Sequence, residues 1–319
     1  MSQTRARMGR YLRRGLCLAT SFLSLAAAPA RGAETILFVG NSFTFAALSP
    51  VWRYRADTVT DLNGEGIGGV PALFKLFTRE AGLDYAVSLE TSPGKDVQWH
   101  IDNRLAVIDR AWDHVVLQSY STLDAAHPGD PTSLIRSTAI LARALHDKNP
   151  AVDIRLTATW SRADLTYRTQ SPWLGKPIGA MARDLRDGYD KAAAATSTIK
   201  SVIPVGQAWN RAIAGGLADA NPYDGIEAGK VDLWAYDNYH ASAFGYYLEA
   251  LIVFGAITGR DPASLGPREQ AALELGFSPA LATALQQVAR DELTEAGSLS
   301  QPSAPARPAG SAAPSPAPR

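Results

Sequence analysis

Three residues far apart in the chain have the types needed for a nucleophile and its base: Ser42, Asp237 and His240. A serine hydroxyl is inert near neutral pH and needs an adjacent base. Histidine serves best, and a carboxylate fixes its tautomer. The chain has five histidines, His100, His114, His127, His146 and His240. Only His240 has an acid three residues ahead and a strongly apolar stretch, 241–257, directly behind. That spacing lets the Asp237 carboxylate meet the ring within one helical turn or tight loop. A developing oxyanion also needs fixed donors, either backbone N–H groups or side-chain amides. The Ser42 N–H, the Gly94 N–H and the Gln118 amide stand at the ends of three apolar runs. Each piece has a plainer use. Asn-Ser is common in turns, and Asp-x-x-His opens helices. Pro93-Gly94 suits a type II turn, and a glutamine can satisfy a buried backbone group. Ser119 and Ser121 are rival serines, but neither follows a strand–glycine elbow.

The elements that must position these residues alternate. Short β-branched runs at 35–39, 85–89, 115–117, 154–159 and 201–205 read as strands, the last an edge strand because of Pro204. Between them, 70–81, 97–110, 132–147 and 180–199 show helical spacing. The stretch 241–257 is apolar on nearly every side and reads as a buried helix. Strands alternating with helices predict a parallel sheet covered on both faces. In such sheets the ligand sits beyond the carboxyl ends of the strands, where Ser42, Gly94 and Gln118 stand.

Together these residues resemble the SGNH (GDSL-like) hydrolase superfamily. The four blocks are Gly40-Asn41-Ser42, Gly94, Gln118 and Asp237-x-x-His240, in the family's order over residues 35–257. The resemblance implies a three-layer α/β/α sandwich, flavodoxin-like, with a five-stranded parallel sheet. It implies Ser42 as nucleophile, His240 as base and Asp237 as its orienting acid. Ser42, Gly94 and Gln118 would form the oxyanion hole. Two positions depart from the family pattern: Asn41 replaces the usual acid before the serine, and Gln118 replaces the usual asparagine.

The substrate is less legible. Trp52, Trp160, Trp209 and Tyr239 fall near strand ends or the Asp-His pair, and aromatic rings suit sugar faces and acyl chains alike. Arg53 and Arg162 read as solvated. Three functions stay open: an esterase acting on a short acyl group of a carbohydrate or small molecule, a lipase or thioesterase with the same triad, and a non-catalytic sugar binder. The run Gly64-Glu65-Gly66-Ile67-Gly68-Gly69 matches G-x-G-x-x-G, but 56–63 before it is a poor strand. It reads as a loop entering a helix and a possible rim of the pocket. No cofactor is expected. No metal is expected either, since the chain has no H-E-x-x-H motif and no cysteine beyond the leader.

Composition excludes further classes. The chain has 31 basic and 31 acidic residues, so no basic footprint for nucleic acid appears. Its single cysteine, Cys17, rules out a disulfide scaffold. Residues 1–30 hold five arginines, no acid, an apolar run over 15–28 and Ala28-Pro29-Ala30. This is the pattern of a secretory signal peptide, shorter in its apolar run than a membrane span of about 20 residues. The expectation is export to the periplasm or the exterior, with no stable membrane insertion after cleavage. Without that leader the chain carries 26 basic and 31 acidic residues, a net charge of −5. Residues 31–295 are expected to form one α/β domain. Residues 296–319, mostly Pro, Ala, Ser, Gly and Arg, are expected to be a disordered tail.

Overall fold

Strand β1 (Glu34–Gly40) sets the architecture. Its side chains alternate between two cores: Ile36 and Phe38 enter one, Leu37 and Val39 the other. A strand apolar on both faces must be covered on both, and the computed structural model, which describes residues 32–299, shows that arrangement. Beside β1 lie β2 (Thr60–Asp61), β3 (Tyr85–Thr91), β4 (His114–Leu117), β5 (Asp153–Ala158) and β6 (Ile199–Pro204). The sheet runs β2-β3-β1-β4-β5-β6, and every pairing is parallel. Leaving out β2, this is the flavodoxin-like order.

The sheet therefore has six strands where five were expected. The extra strand is the two-residue β2, paired through Thr60 and Asp61 to Ser88 and Leu89. It lies within the polar stretch 56–63, which reads poorly as a strand because β2 is a short edge element. β6 occupies the opposite edge, where Pro204 costs no ladder hydrogen bond to a further strand.

One helical layer, built on the Ile36/Phe38 face, contains α1 (Gly69–Glu80). The other face carries α2 (Val97–Ile108) and α3 (Thr132–Lys148). A short helix, α4 (Ala163–Tyr167), follows β5, and α5 (Gly179–Ala194) joins the second layer. The first layer is completed by α6 (Val205–Ala214), α7 (Ala243–Thr258), α8 (Gln270–Glu274) and α9 (Pro279–Glu295). α7 is buried along nearly its whole length, from Gly245 to Ile257. Ser242 caps its start by accepting the Gly245 N–H, and Gly259 ends it in the left-handed conformation.

Leu299, the one large apolar residue of the segment expected to be a tail, packs against the first core. Its N–H reaches the Leu293 carbonyl at 3.2 Å. The folded chain thus continues to residue 299. The expected signal peptide and the tail from 300 onward lie outside the described residues. Among the described residues, no helix is long and apolar enough to cross a membrane.

Candidate active site

The loop that carries Ser42, the candidate nucleophile, begins where β1 ends. Gly40 is required there, because a Cβ would stand 2.1 Å from Thr44 Oγ1 and 2.8 Å from Gln118 Oε1. The chain then turns sharply, with the N–H groups of Thr44 and Phe45 both donating to the Asn41 carbonyl at 3.0 Å. Asn41 ties three strand ends together. Its Oδ1 accepts the Phe43 N–H, and its Nδ2 donates to the carbonyls of Lys95 and Ser119 at 2.9 and 3.1 Å. An aspartate has no proton to give either carbonyl, which accounts for the asparagine at this position. Ala46 and Leu48 both adopt positive φ, near 60°. Each left-handed residue costs about 1–2 kcal/mol. The turn is held by Ala47 N–H on the Ser42 carbonyl and by the buried Tyr246 hydroxyl, which donates to the same carbonyl at 3.2 Å.

Gly68 and Gly69 complete this support. The Gly68 N–H donates to the Trp52 carbonyl, Gly69 N–H to Val51 and Val70 N–H to Thr44. The glycine-rich run at 64–69 therefore serves close backbone approach to the nucleophile loop. Asp61 also accepts the N–H groups of Glu65 and Ile67 through Oδ2 and that of Gly64 through its carbonyl. A carboxylate occupies the place a phosphate would need, so the G-x-G-x-x-G match is not a nucleotide loop.

His240 stands on a loop ahead of α7. Its Nδ1 meets Asp237 Oδ2 at 2.6 Å. Asp237 Oδ1 accepts the N–H groups of Tyr239 and His240 at 3.1 and 3.0 Å. Burial alone would raise the Asp237 carboxyl, but these bonds from His240 and Tyr239 outweigh it and hold it below the usual carboxylate range. The carboxylate fixes the proton on Nδ1 and leaves the Nε2 lone pair free. Nε2 is buried and makes no hydrogen bond among the described residues. Phe43, the neighbour of Ser42, sets its ring edge-on to His240 with centroids 5.7 Å apart. The structure thus joins Asp237 to His240 and brings the nucleophile turn against the imidazole. It makes no Ser42–His240 hydrogen bond, a contact that is often long before substrate arrives.

The turn after β5 clamps the histidine loop. Trp160 Nε1 donates to the Tyr239 carbonyl at 3.1 Å, and Asp164 N–H donates to Asn238. Arg162 lays its guanidinium 3.7 Å from the Tyr239 ring centroid and pairs with Asp164 at 2.7 Å. The expectation that Arg162 is solvated is corrected. The Arg162-x-Asp164 spacing straight after a strand was the available signal for this pair.

Gly94 lies in the turn after β3, with Pro93 before it, φ of +66° and Lys95 N–H on the Ser92 carbonyl at 3.3 Å. This matches a type II turn. The N–H groups of Ser42 and Gly94 make no hydrogen bond among the described residues. Gln118 is different. Its Oε1 accepts the Asn41 N–H at 3.0 Å and the Thr44 hydroxyl at 3.2 Å, while its Nε2 donates to the Ser119 carbonyl. The obligate donor on Asn41 fixes this orientation. Oε1 and one of the two Nε2 protons are committed, so Gln118 holds the loop. Gln118→Leu will leave the buried Asn41 N–H unpaired and lower stability by about 1–3 kcal/mol, read from urea unfolding.

Two expected substrate contacts also fall away. Trp160 and Trp209 are wholly buried, with Phe43, Trp160 and Trp209 stacked at 4.1 and 4.7 Å. They form the floor beneath the nucleophile turn and present no face to a ligand. Burial of the strand-end rings under α7 is the cause. Tyr239 stays partly exposed against His240, and Trp52 is exposed on the nucleophile loop with Arg53 over its ring. His100 is fully buried with Nδ1 on the Glu90 carboxylate. Among the described residues, no group of three His, Cys, Asp or Glu side chains is placed to hold a metal ion.

A scan with protein-family models and a search of curated proteins each found no match. Solved structures are similar in fold. A DUF4886 family protein from Bacteroides uniformis superimposes with a TM-score of 0.57 at 18% identity, covering 84% of this chain and 97% of that one. A protein named as a GDSL-like lipase from Parabacteroides merdae gives a TM-score of 0.50 at 18% identity, covering 72% and 97%. The chain has the α/β fold of the SGNH (GDSL-like) hydrolases.

Proposed function

We propose that this protein is an exported serine esterase. Ser42 is the nucleophile, His240 the general base and Asp237 the orienting acid. The single observation that carries the reading is the Asp237–His240 contact at 2.6 Å, with Nε2 left unpartnered beside the nucleophile turn. In the reaction, His240 Nε2 takes the Ser42 Oγ proton as Oγ bonds to the ester carbonyl carbon. The carbonyl electron pair moves onto oxygen, which the N–H groups of Ser42 and Gly94 receive. Collapse restores the carbonyl and expels the alcohol, which takes the proton from His240. Water then attacks the acyl-serine by the same route and frees the acid.

The substrate proposed is a short acyl ester on a carbohydrate or small molecule. Burial of Trp160 and Trp209 supports a short acyl group, because those rings line no open apolar channel. Export rests on the arginine-rich, then apolar, leader at 1–30. The expected result is that purified protein cleaves p-nitrophenyl acetate and that Ser42→Ala removes at least 99.9% of that activity, in line with the roughly thousandfold or greater effect of losing a triad member. Full activity in Ser42→Ala would eliminate Ser42 as nucleophile. A preference for long-chain over acetyl esters would favour a lipase instead.

A further inference from the structure

A polar cleft opens at the edge of the sheet where β3 ends. It has a volume of about 260 Å³ and is lined by Asn63, Glu65, Glu90, Ser92, Trp99 and Arg104. The strand order puts it beside β2 and β3, whereas the histidine loop is tied to the turn after β5. Ser42, at the end of β1, lies between them. The cleft also shares a wall with the nucleophile strand, since Ser92 N–H donates to the Gly40 carbonyl at 3.1 Å. Ser92 and Gly94 belong to one turn.

The cleft is built rather than incidental. Glu90 is completely buried, and a buried carboxylate is costly unless it is paired. Its two oxygens take His100 Nδ1 and, at 3.2 Å, Arg104 Nε. Arg104 continues to the Leu62 carbonyl at 3.3 Å and to Asn63 Oδ1. Asn63 Nδ2 in turn donates to the Thr91 carbonyl at 2.6 Å. A network this polar contributes little that an apolar filling would not. It does hold donors and acceptors in fixed positions along one wall. Trp99 supplies a half-exposed indole on another.

The charges in and beside the cleft largely cancel: Glu90 and Glu65 line it with Arg104, and the Lys95 ammonium stands 5.7 Å from the Trp99 ring centroid. Such a cleft selects neither an anion nor a cation. Hydroxyl groups both donate and accept, so they match the Glu65 carboxylate, the Ser92 hydroxyl and the Arg104 guanidinium together. The C–H face of a sugar ring matches an aromatic ring. The volume, small beside ordinary ligand pockets of about 300–1,000 Å³, takes one ring and not a chain.

We propose that this cleft is a subsite for one neutral sugar ring of an acylated carbohydrate, held across the Ser92–Gly94 turn from Ser42. The proposal rests on the ester-hydrolase reading and names its alcohol. The test compares kcat/KM on mono-O-acetylated glucose, as a mixture of positional isomers, with kcat/KM on p-nitrophenyl acetate. Wild type prefers the sugar ester, and both Trp99→Ala and Arg104→Gln reduce that preference by about tenfold, the effect of losing one good contact. Trp99→Ala removes no partner from Glu90, so it remains informative if Arg104→Gln fails to fold. Preference unchanged in Trp99→Ala, or a wild type that cleaves p-nitrophenyl acetate and no sugar acetate, overturns the subsite and leaves the esterase standing. A wild type that cleaves neither overturns the esterase reading, and the subsite with it.

Discussion

Asp237→Asn lowers kcat for ester hydrolysis by about ten-thousand-fold while leaving the fold intact. The reason is the tautomer. Asp237 Oδ2 accepts the His240 Nδ1 proton at 2.6 Å, so the lone pair needed to deprotonate serine stays on Nε2. An asparagine keeps the carbonyl oxygen that receives the Tyr239 and His240 N–H groups, so the loop retains its shape. Its amide must then donate to Nδ1, which moves the ring proton to Nε2 and blocks the base. Steady-state kinetics beside a circular dichroism melt check this. A loss below tenfold, with an unchanged melt, would assign Asp237 to loop structure alone.

Gly68→Ala destabilises the protein by about 3 kcal/mol, near the top of the range for an overpacked site. A Cβ at Gly68 would stand 1.8 Å from the Tyr54 carbonyl oxygen and 2.8 Å from its carbon. These are backbone atoms, and the backbone cannot retreat easily. Gly68, Gly69 and Val70 are bonded in sequence to Trp52, Val51 and Thr44. For a domain of this size the melting temperature should fall by roughly 6–12 °C. Activity should fall further than stability, because the displaced segment is the loop that carries Ser42. An unchanged melting temperature would contradict the packing role given to this glycine pair.

How much of this was readable in advance differs by residue. Strands β1, β3, β4 and β5 were legible because their largely buried apolar runs end in or beside glycine or polar residues, and β6 because of its β-branched run before Pro204. β2 was not, since two edge residues carry no periodic signal. α6 begins at Val205, read as the last residue of the strand, because Pro204 both closes β6 and precedes the helix. α9 has Ser278 as its cap, Pro279 in the first turn and Ala282, Leu285, Ala289 and Leu293 on one face. That spacing marks a helix that lies outside the strand–helix alternation.

In the site, Asp237 and His240 were legible because they lie three positions apart in the chain. Gln118 was placed at the right strand end, but its loop-holding task was not legible. Residue type says that an amide can donate, and only the neighbouring Asn41 N–H shows that the oxygen is needed first. Trp160 and Trp209 failed similarly: position near a strand end does not say whether a ring turns outward or under α7. Glu90, His100 and Arg104 come together from β3 and α2 at helical spacing, and nothing in sequence marks a glutamate on a buried strand as paired.

The central claim is that Ser42 is the nucleophile. Its most direct test is covalent labelling of the full-length protein with a fluorophosphonate, followed by peptide mapping in a mass spectrometer. A single adduct on Ser42, lost when His240 is replaced by alanine, is the predicted result. An adduct on Ser119 or Ser121, or no adduct on a protein that hydrolyses p-nitrophenyl acetate, would contradict it.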